Sequence, residues 1–248
     1  MSALSLSLIA AAIVSILSII GILSLAINDK LLNKILILLV SFSAGSLMGG
    51  AFFHLLPESL GEYNGSLLVF VYVLVGFSIF FILERILRWH HCHDKECETH
   101  KHLGSINLIG DGVHNIIDGI IIFSAFSVSP AVGLPVTVSI ILHELPQEIG
   151  DFGILLYSGF KKSKALIYNF ITASVVFIGV LLGYLLLNRV EDLNSFLLPF
   201  AAGGFLYIAA SDLIPELHKE NNTARSILSF VMFFIALALM LLLKIYSK

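Results

Sequence analysis

Eight runs of about twenty mostly apolar residues follow one another along the chain, each long enough to cross the hydrocarbon of a bilayer. They cover 4–27, 35–57, 67–88, 105–128, 131–157, 164–187, 195–216 and 226–246. Short loops and one polar insert make up the rest of the 248 residues. With 58% hydrophobic and only 12% charged residues, no soluble globule of this size hides so much apolar surface, since soluble domains carry about 25% charged residues. A soluble enzyme or a disordered chain is excluded on the same ground. A net charge of -3 offers no basic footprint, so no nucleic-acid partner is expected. Two cysteines build no disulfide framework. The reading is an all-α integral membrane protein of eight transmembrane helices, one domain over 1–248, with the lipid bilayer as its constant partner.

Basic residues orient these spans. If sides alternate from the loop 28–34, that side receives Lys30, Lys34, Arg85, Arg88, Lys95, Lys101, Lys161, Lys162, Lys164, Lys219 and Arg225. The opposite side receives Arg189, Lys244 and Lys248. Lys and Arg accumulate on the cytoplasmic side, so both termini are expected outside. The first run has no basic residue before it and exceeds a signal-peptide core, which reads as an uncleaved span. The small chain without a targeting signal is expected in the cell membrane.

The chain repeats itself internally. Residues 43–58 read SAGSLMGGAFFHLLPE and residues 201–216 read AAGGFLYIAASDLIPE. At a constant offset of 158, Ala44, Gly45, Ala51, Leu55, Pro57 and Glu58 recur as Ala202, Gly203, Ala209, Leu213, Pro215 and Glu216. The second span runs outward and the seventh inward, so the repeat is inverted, a plan common in transporters with sites near the midplane.

The fourth and fifth spans carry the chemistry. The fourth holds Asp111, His114, Asn115 and Asp118; the fifth holds His143, Glu144, Gln147, Glu148 and Asp151. Five carboxylates in membrane spans cost on the order of 12–18 kcal/mol on insertion scales, and a divalent cation is the simplest partner for several of them. Positions i and i+4 share a helix face, so His114 with Asp118 and His143 with Gln147 form one N/O cage. A second row, rotated by about 100°, holds Asn115 on one helix and Glu144, Glu148 and Asp151 on the other. Imidazole with carboxylate suits zinc, iron or manganese, and the lack of thiolate argues against Cu(I). Pro146 removes a backbone hydrogen bond and leaves a carbonyl free near the site. A polar seam that only joins helices is the bland alternative.

Outside these rows, His54 and Glu58 near the outer end of the second span, and Asp212, Glu216 and His218 near the inner end of the seventh, are candidates for guiding a cation in and out. They equally suit interfacial helix ends. The segment HHCHDKECETHKH at 90–102, within a cytoplasmic His-rich loop at 89–104, has the composition of a metal-collecting loop. Its candidate ligands are His90, His91, Cys92, His93, Cys97, His100 and His102; the alternative is a solvated linker.

These residues resemble the ZIP family of zinc- and iron-regulated divalent metal transporters over nearly the whole chain. The resemblance rests on His-Asn-x-x-Asp-Gly at 114–119, on His-Glu-x-Pro-Gln-Glu-x-Gly-Asp at 143–151, on the two Leu-x-Pro-Glu segments and on the His-rich loop. Gln147 stands where the similar subfamily has a second His. The resemblance implies uptake of a divalent metal into the cytoplasm through a paired-metal site. His114, Asp118, His143 and Gln147 would line the first site; Asn115, Glu144 and Glu148 the second, with Glu144 or Glu148 shared and Asp151 peripheral. It also implies an elevator-type cycle in which spans 1, 4, 5 and 6 move against a scaffold that forms a homodimer. The expected substrate is Zn2+, with Fe2+, Mn2+ and Cd2+ as other candidates; no organic cofactor is required.

Two rival classes follow from the same residues. His143-Glu144 opens like the zinc-hydrolase motif His-Glu-x-x-His, but position 147 is Gln and Pro146 interrupts the helix. A non-transporting metal sensor is suggested by the loop. It predicts saturable binding without uptake.

Overall fold

The computed structural model describes residues 1–20, 29–62, 65–89, 100–187, 189 and 193–246. His90, His91, Cys92, His93 and Cys97 lie outside the described residues, as do the side chains of His100 and His102. Among the described residues there is no strand. In lipid every backbone N–H and C=O needs an internal partner, and the helix supplies it within one segment. The helices are α1 (Ala3–Leu17), α2 (Asp29–Gly49), α3 (Leu56–Glu62), α4 (Leu67–Trp89), α5 (His100–Val128) and α6 (Pro130–Tyr157), followed by α7 (Lys162–Ser174), α8 (Val176–Leu187), α9 (Leu193–Tyr207), α10 (Ile214–Leu217) and α11 (Thr223–Tyr246).

Among the described residues, seven helices are long and apolar enough to cross a membrane: Ala3–Ile20, Lys34–Gly61, Leu67–Arg85, Asn107–Val128, Lys162–Leu187, Leu193–Leu217 and Thr223–Tyr246. The expected count of eight is thus not met on length and composition. The run at 131–157 is the one that drops out. It is a continuous 28-residue helix, α6, but His143, Glu144, Gln147, Glu148, Asp151 and two prolines lower its hydropathy. The residues that form the polar cluster are the same ones that weaken its membrane signal. The ends of α6 are well specified. Ser129 caps the start by accepting from Val132 N at 3.3 Å, with Pro130 in the first turn. Gly159, at φ +83, closes the end in a Schellman turn in which Phe160 N reaches Leu155 O at 3.1 Å.

The internal repeat has a structural counterpart. A π-helical turn at Gly50–Leu55 joins α2 to α3, and a second at Ile208–Leu213 joins α9 to α10. The two turns sit at the same offset of 158 as the sequence repeat. Leu56 N pairs with Ala51 O in the first and Ile214 N with Ala209 O in the second. Each turn directly precedes an x-Pro pair, Leu56-Pro57 and Ile214-Pro215, where a proline without N–H disrupts the α-pattern of bonds. The repeat is inverted. α3, the continuation of α2, packs on α9, while α10, the continuation of α9, packs on α2, so the two segments run in opposite directions.

The helices sort into two groups. α2 packs lengthwise on α11, and α9 on α4. A Cβ on Gly45 would lie 2.3 Å from Phe233 O, and one on its repeat mate Gly203 would lie 2.0 Å from Val73 O. Both glycines therefore mark backbone-to-backbone contact between helices. The second group is α1, α5, α6, α7 and α8, with α5 against α8 and α6. α2 against α6 is the main contact between the groups. Beside an apolar core that includes Leu47, Ile122 and Phe205, burial departs from the soluble pattern. Asp111, Asn115, Asp118, His143, Glu144 and Glu148 are buried, while Leu74, Phe81, Ile178, Leu181, Phe230 and Phe234 are exposed, as a lipid-facing surface requires.

Candidate metal centre

α5 and α6 form an antiparallel pair whose facing sides carry the polar residues. Neither α6 nor α5 beyond His102 contains a Lys or Arg, so no basic side chain on these helices neutralises the buried carboxylates. Glu144 and Glu148 are both 0% exposed. Among the atoms without a hydrogen-bond partner are both oxygens of Asp118 and of Glu144, Asp111 Oδ2 and Glu148 Oε1. Carboxyl groups this deeply buried are costly in their charged form unless a cation sits beside them.

His114, Asp118, His143 and Glu144 bring one ligand atom each to a common point. The two Nε2 atoms of His114 and His143 lie 3.0 Å apart. His114 Nε2 is 3.7 Å from Asp118 Oδ2 and 3.4 Å from Glu144 Oε1. His143 Nε2 is 3.4 Å from Asp118 Oδ2 and 3.6 Å from Glu144 Oε1. A tetrahedral zinc with bonds of about 2.0–2.2 Å has donors about 3.3–3.6 Å apart, and the five observed edges bracket that length. His143 Nδ1 sits 3.1 Å from Ser139 O. That contact holds the proton on Nδ1 and leaves the Nε2 lone pair for a metal. The ring edges of Phe80 and Phe205 border the two imidazoles.

A second group, Asp111, Glu144 and Glu148, is all oxygen and shares Glu144 with the first. Each flanking carboxylate has one oxygen occupied. Asp111 Oδ1 accepts from Asn115 Nδ2 at 2.9 Å and from Gln147 Nε2 at 3.3 Å. Glu148 Oε2 accepts from Asn169 Nδ2. The remaining oxygens, Asp111 Oδ2 and Glu148 Oε1, are left bare.

Two amides expected among the ligands sit beside these carboxylates. Gln147 donates Nε2 to Asp111 Oδ1. Asn115 donates Nδ2 to the same oxygen, and its own Oδ1 is buried without a hydrogen-bond partner. Glu144 belongs to both groups. Asp111 stood among the polar residues of the fourth span, four positions before Asn115, but outside the matched motif. Asn169 on α7 was not singled out at all; its only signal is an amide within an apolar run. Asp151 is buried, accepts from Asn107 Nδ2 at 3.0 Å, and belongs to neither group.

The candidates for guiding a cation lie apart from both groups. His54 is buried in the first π turn with Nε2 2.9 Å from Met240 O; Asp212, its repeat mate, is half-buried in the second. Glu58 is half-buried and His218 exposed. Glu216 is exposed and pairs with Lys219 Nζ at 2.5 Å. The carbonyl freed by Pro146, Leu142 O, four residues before the proline, accepts from Ser43 Oγ of α2.

The Zip family model, described as ZIP Zinc transporter, matches residues 4–105 and 89–244. The zinc transporter zipt-7.1 of Caenorhabditis briggsae is 31% identical over 75% of this chain and 62% of its own length. The zinc transporter ZIP13 of Pongo abelii is 33% identical over 84% of this chain and 66% of its own. The zinc transporter YKE4 of Saccharomyces cerevisiae is 30% identical over 87% of this chain and 72% of its own. The chain thus spans roughly two thirds of the length of these relatives.

Proposed function

The chain belongs to the ZIP zinc transporter family, a family of multi-pass membrane transporters and not of enzymes, and we propose that it carries a divalent metal ion, Zn2+ first, into the cytoplasm. The observation that carries this reading is the convergence of His114, His143, Asp118 and Glu144 at zinc-like spacing between α5 and α6. Two imidazoles and two carboxylates suit Zn2+ and Fe2+, with Mn2+ and Cd2+ as competitors. The all-oxygen group of Asp111, Glu144 and Glu148 serves as a second station, and the shared Glu144 lets an ion pass between them without losing every ligand at once. α6 counts as the eighth span; at about 1.5 Å per residue its length exceeds a bilayer core of about 30 Å.

The cycle is of elevator type, with α1, α5, α6, α7 and α8 moving the site past α2, α4, α9 and α11. The division of the helices into these two packed groups supports it. The scaffold group is the surface for a homodimer, and the excess of Lys and Arg on one side sets the direction. The cell membrane is the proposed location. Ligand imidazoles and carboxylates must be deprotonated to bind metal, so loading releases protons.

Radiolabelled zinc uptake into proteoliposomes tests this. Saturable uptake, abolished by His143→Ala and by Glu144→Ala and inhibited by iron, manganese or cadmium in order of affinity, is the expected result. Tight zinc binding without uptake in folded protein overturns transport in favour of a sensor.

A further inference from the structure

Asn169 lies on α7 in none of the motifs that mark the family, yet it is 0% exposed. Its Nδ2 faces three acceptors: Glu148 Oε2, Glu148 O at 3.3 Å and Ser18 O at 3.4 Å. Three oxygens on one side decide which end of the amide is nitrogen, since the amide oxygen placed there would meet only acceptors. The carboxylate is the closest of the three, and a donor to an ionised oxygen makes the stronger bond. The other oxygen of that carboxylate, Oε1, has no hydrogen-bond partner and belongs to a residue of the all-oxygen group. Without the donor, Glu148 would have both oxygens bare beside the two of Glu144, with no bond to fix which one faces the group. Neither α5 beyond His102 nor α6 has a Lys or Arg to take over that task. The bond to Ser18 O also ties the assembly to the chain just past α1.

We propose that Asn169 is a positioning residue for the transported cation: it holds Glu148 by one oxygen so that the other stays with Asp111 and Glu144. The proposal rests on the transport reading above. Residues that orient a metal ligand this way typically change metal affinity by 10–100-fold when lost.

Titration of purified full-length protein with buffered Zn2+ tests it, with the His143→Ala variant as the baseline for binding elsewhere. Asn169→Ser is expected to weaken zinc binding about tenfold. Asn169→Asp, which sets a second carboxylate against Glu148, is expected to weaken it more. In a Glu148→Gln background the same Asn169→Ser change is expected to cost less than about twofold, because two residues acting through one interaction are not additive. Equal weakening in both backgrounds, no weakening in the native one, or loss of monodisperse protein on Asn169→Ser alone would each assign the residue to helix packing and overturn the proposal. Absence of zinc binding by the native chain would instead overturn the transport reading itself, and the proposal with it.

Discussion

Replacing Glu144 by Gln is expected to change stability and metal affinity in opposite directions. Both Glu144 oxygens are buried without a hydrogen-bond partner, and the residue belongs to both ligand groups. In the absence of metal its carboxylate is a burden. An unsatisfied buried polar group costs about 1–3 kcal/mol, more when charged, so the neutral isostere should raise the stability of metal-free protein by at least about 1 kcal/mol. With metal present the effect reverses. The variant loses a charged donor from each group, a larger loss than that of a residue that merely orients a ligand, for which 10–100-fold is typical. A weakening of at least about 100-fold follows, which removes about 2.7 kcal/mol from the stabilisation given by a fixed excess of zinc. Thermal unfolding in detergent, with chelator and with zinc, reads both quantities from one preparation. The expected pattern is a higher midpoint than the native chain in chelator and a much smaller zinc-induced rise. A lower midpoint in chelator combined with an unchanged zinc-induced rise would refute the reasoning, for it would make Glu144 a structural residue.

Three other perturbations probe separate parts of the fold. Ser43→Ala strands the Leu142 carbonyl that Pro146 leaves without a helical donor; unfolding midpoints should show a loss of about 1–3 kcal/mol, and adding Pro146→Ala should restore most of it by returning the N–H. Gly203→Ala places a Cβ 2.0 Å from Val73 O, whereas a Cβ on Gly61 meets nothing within 4 Å; the first should cost about 1–3 kcal/mol or more by overpacking and the second should be near neutral, read as monodisperse yield and midpoint. Acidification should raise the KM for zinc uptake, since protons compete with the metal for the ligand atoms; a KM constant between pH 5 and 8 would contradict the proposed ligand set.

Much of the architecture was legible because lipid allows few solutions. Apolar runs of span length become helices, and the repeat at an offset of 158 reappears as two π turns at the same offset. What stayed hidden depends on competition between side chains. Spacing on an ideal helix places His114, Asp118 and His143 on converging faces, and the structure brings their ligand atoms together. Spacing alone does not place the amide of Gln147, which donates to the carboxylate of Asp111 on the facing helix. Asp111 was visible as a polar residue but not as part of a site, since its role appears only once α5 and α6 are docked. Asn169 could not be found by spacing, because it reaches the site from a third helix. The span count shows the same tension: the acids that make α6 chemically interesting also make it less apolar than its neighbours.

The central claim is that one zinc ion is held between α5 and α6 by two imidazoles and two carboxylates. Zinc K-edge absorption of the purified chain loaded with a single equivalent tests it most directly. The account predicts four nitrogen or oxygen scatterers at about 2.0–2.2 Å, with imidazole outer-shell features from two His that vanish on His114→Ala and His143→Ala together. A sulfur shell at about 2.3 Å would move the tightest zinc site to Cys92 and Cys97, and a six-oxygen shell unchanged by both substitutions would remove it from His114 and His143; either result would contradict the account.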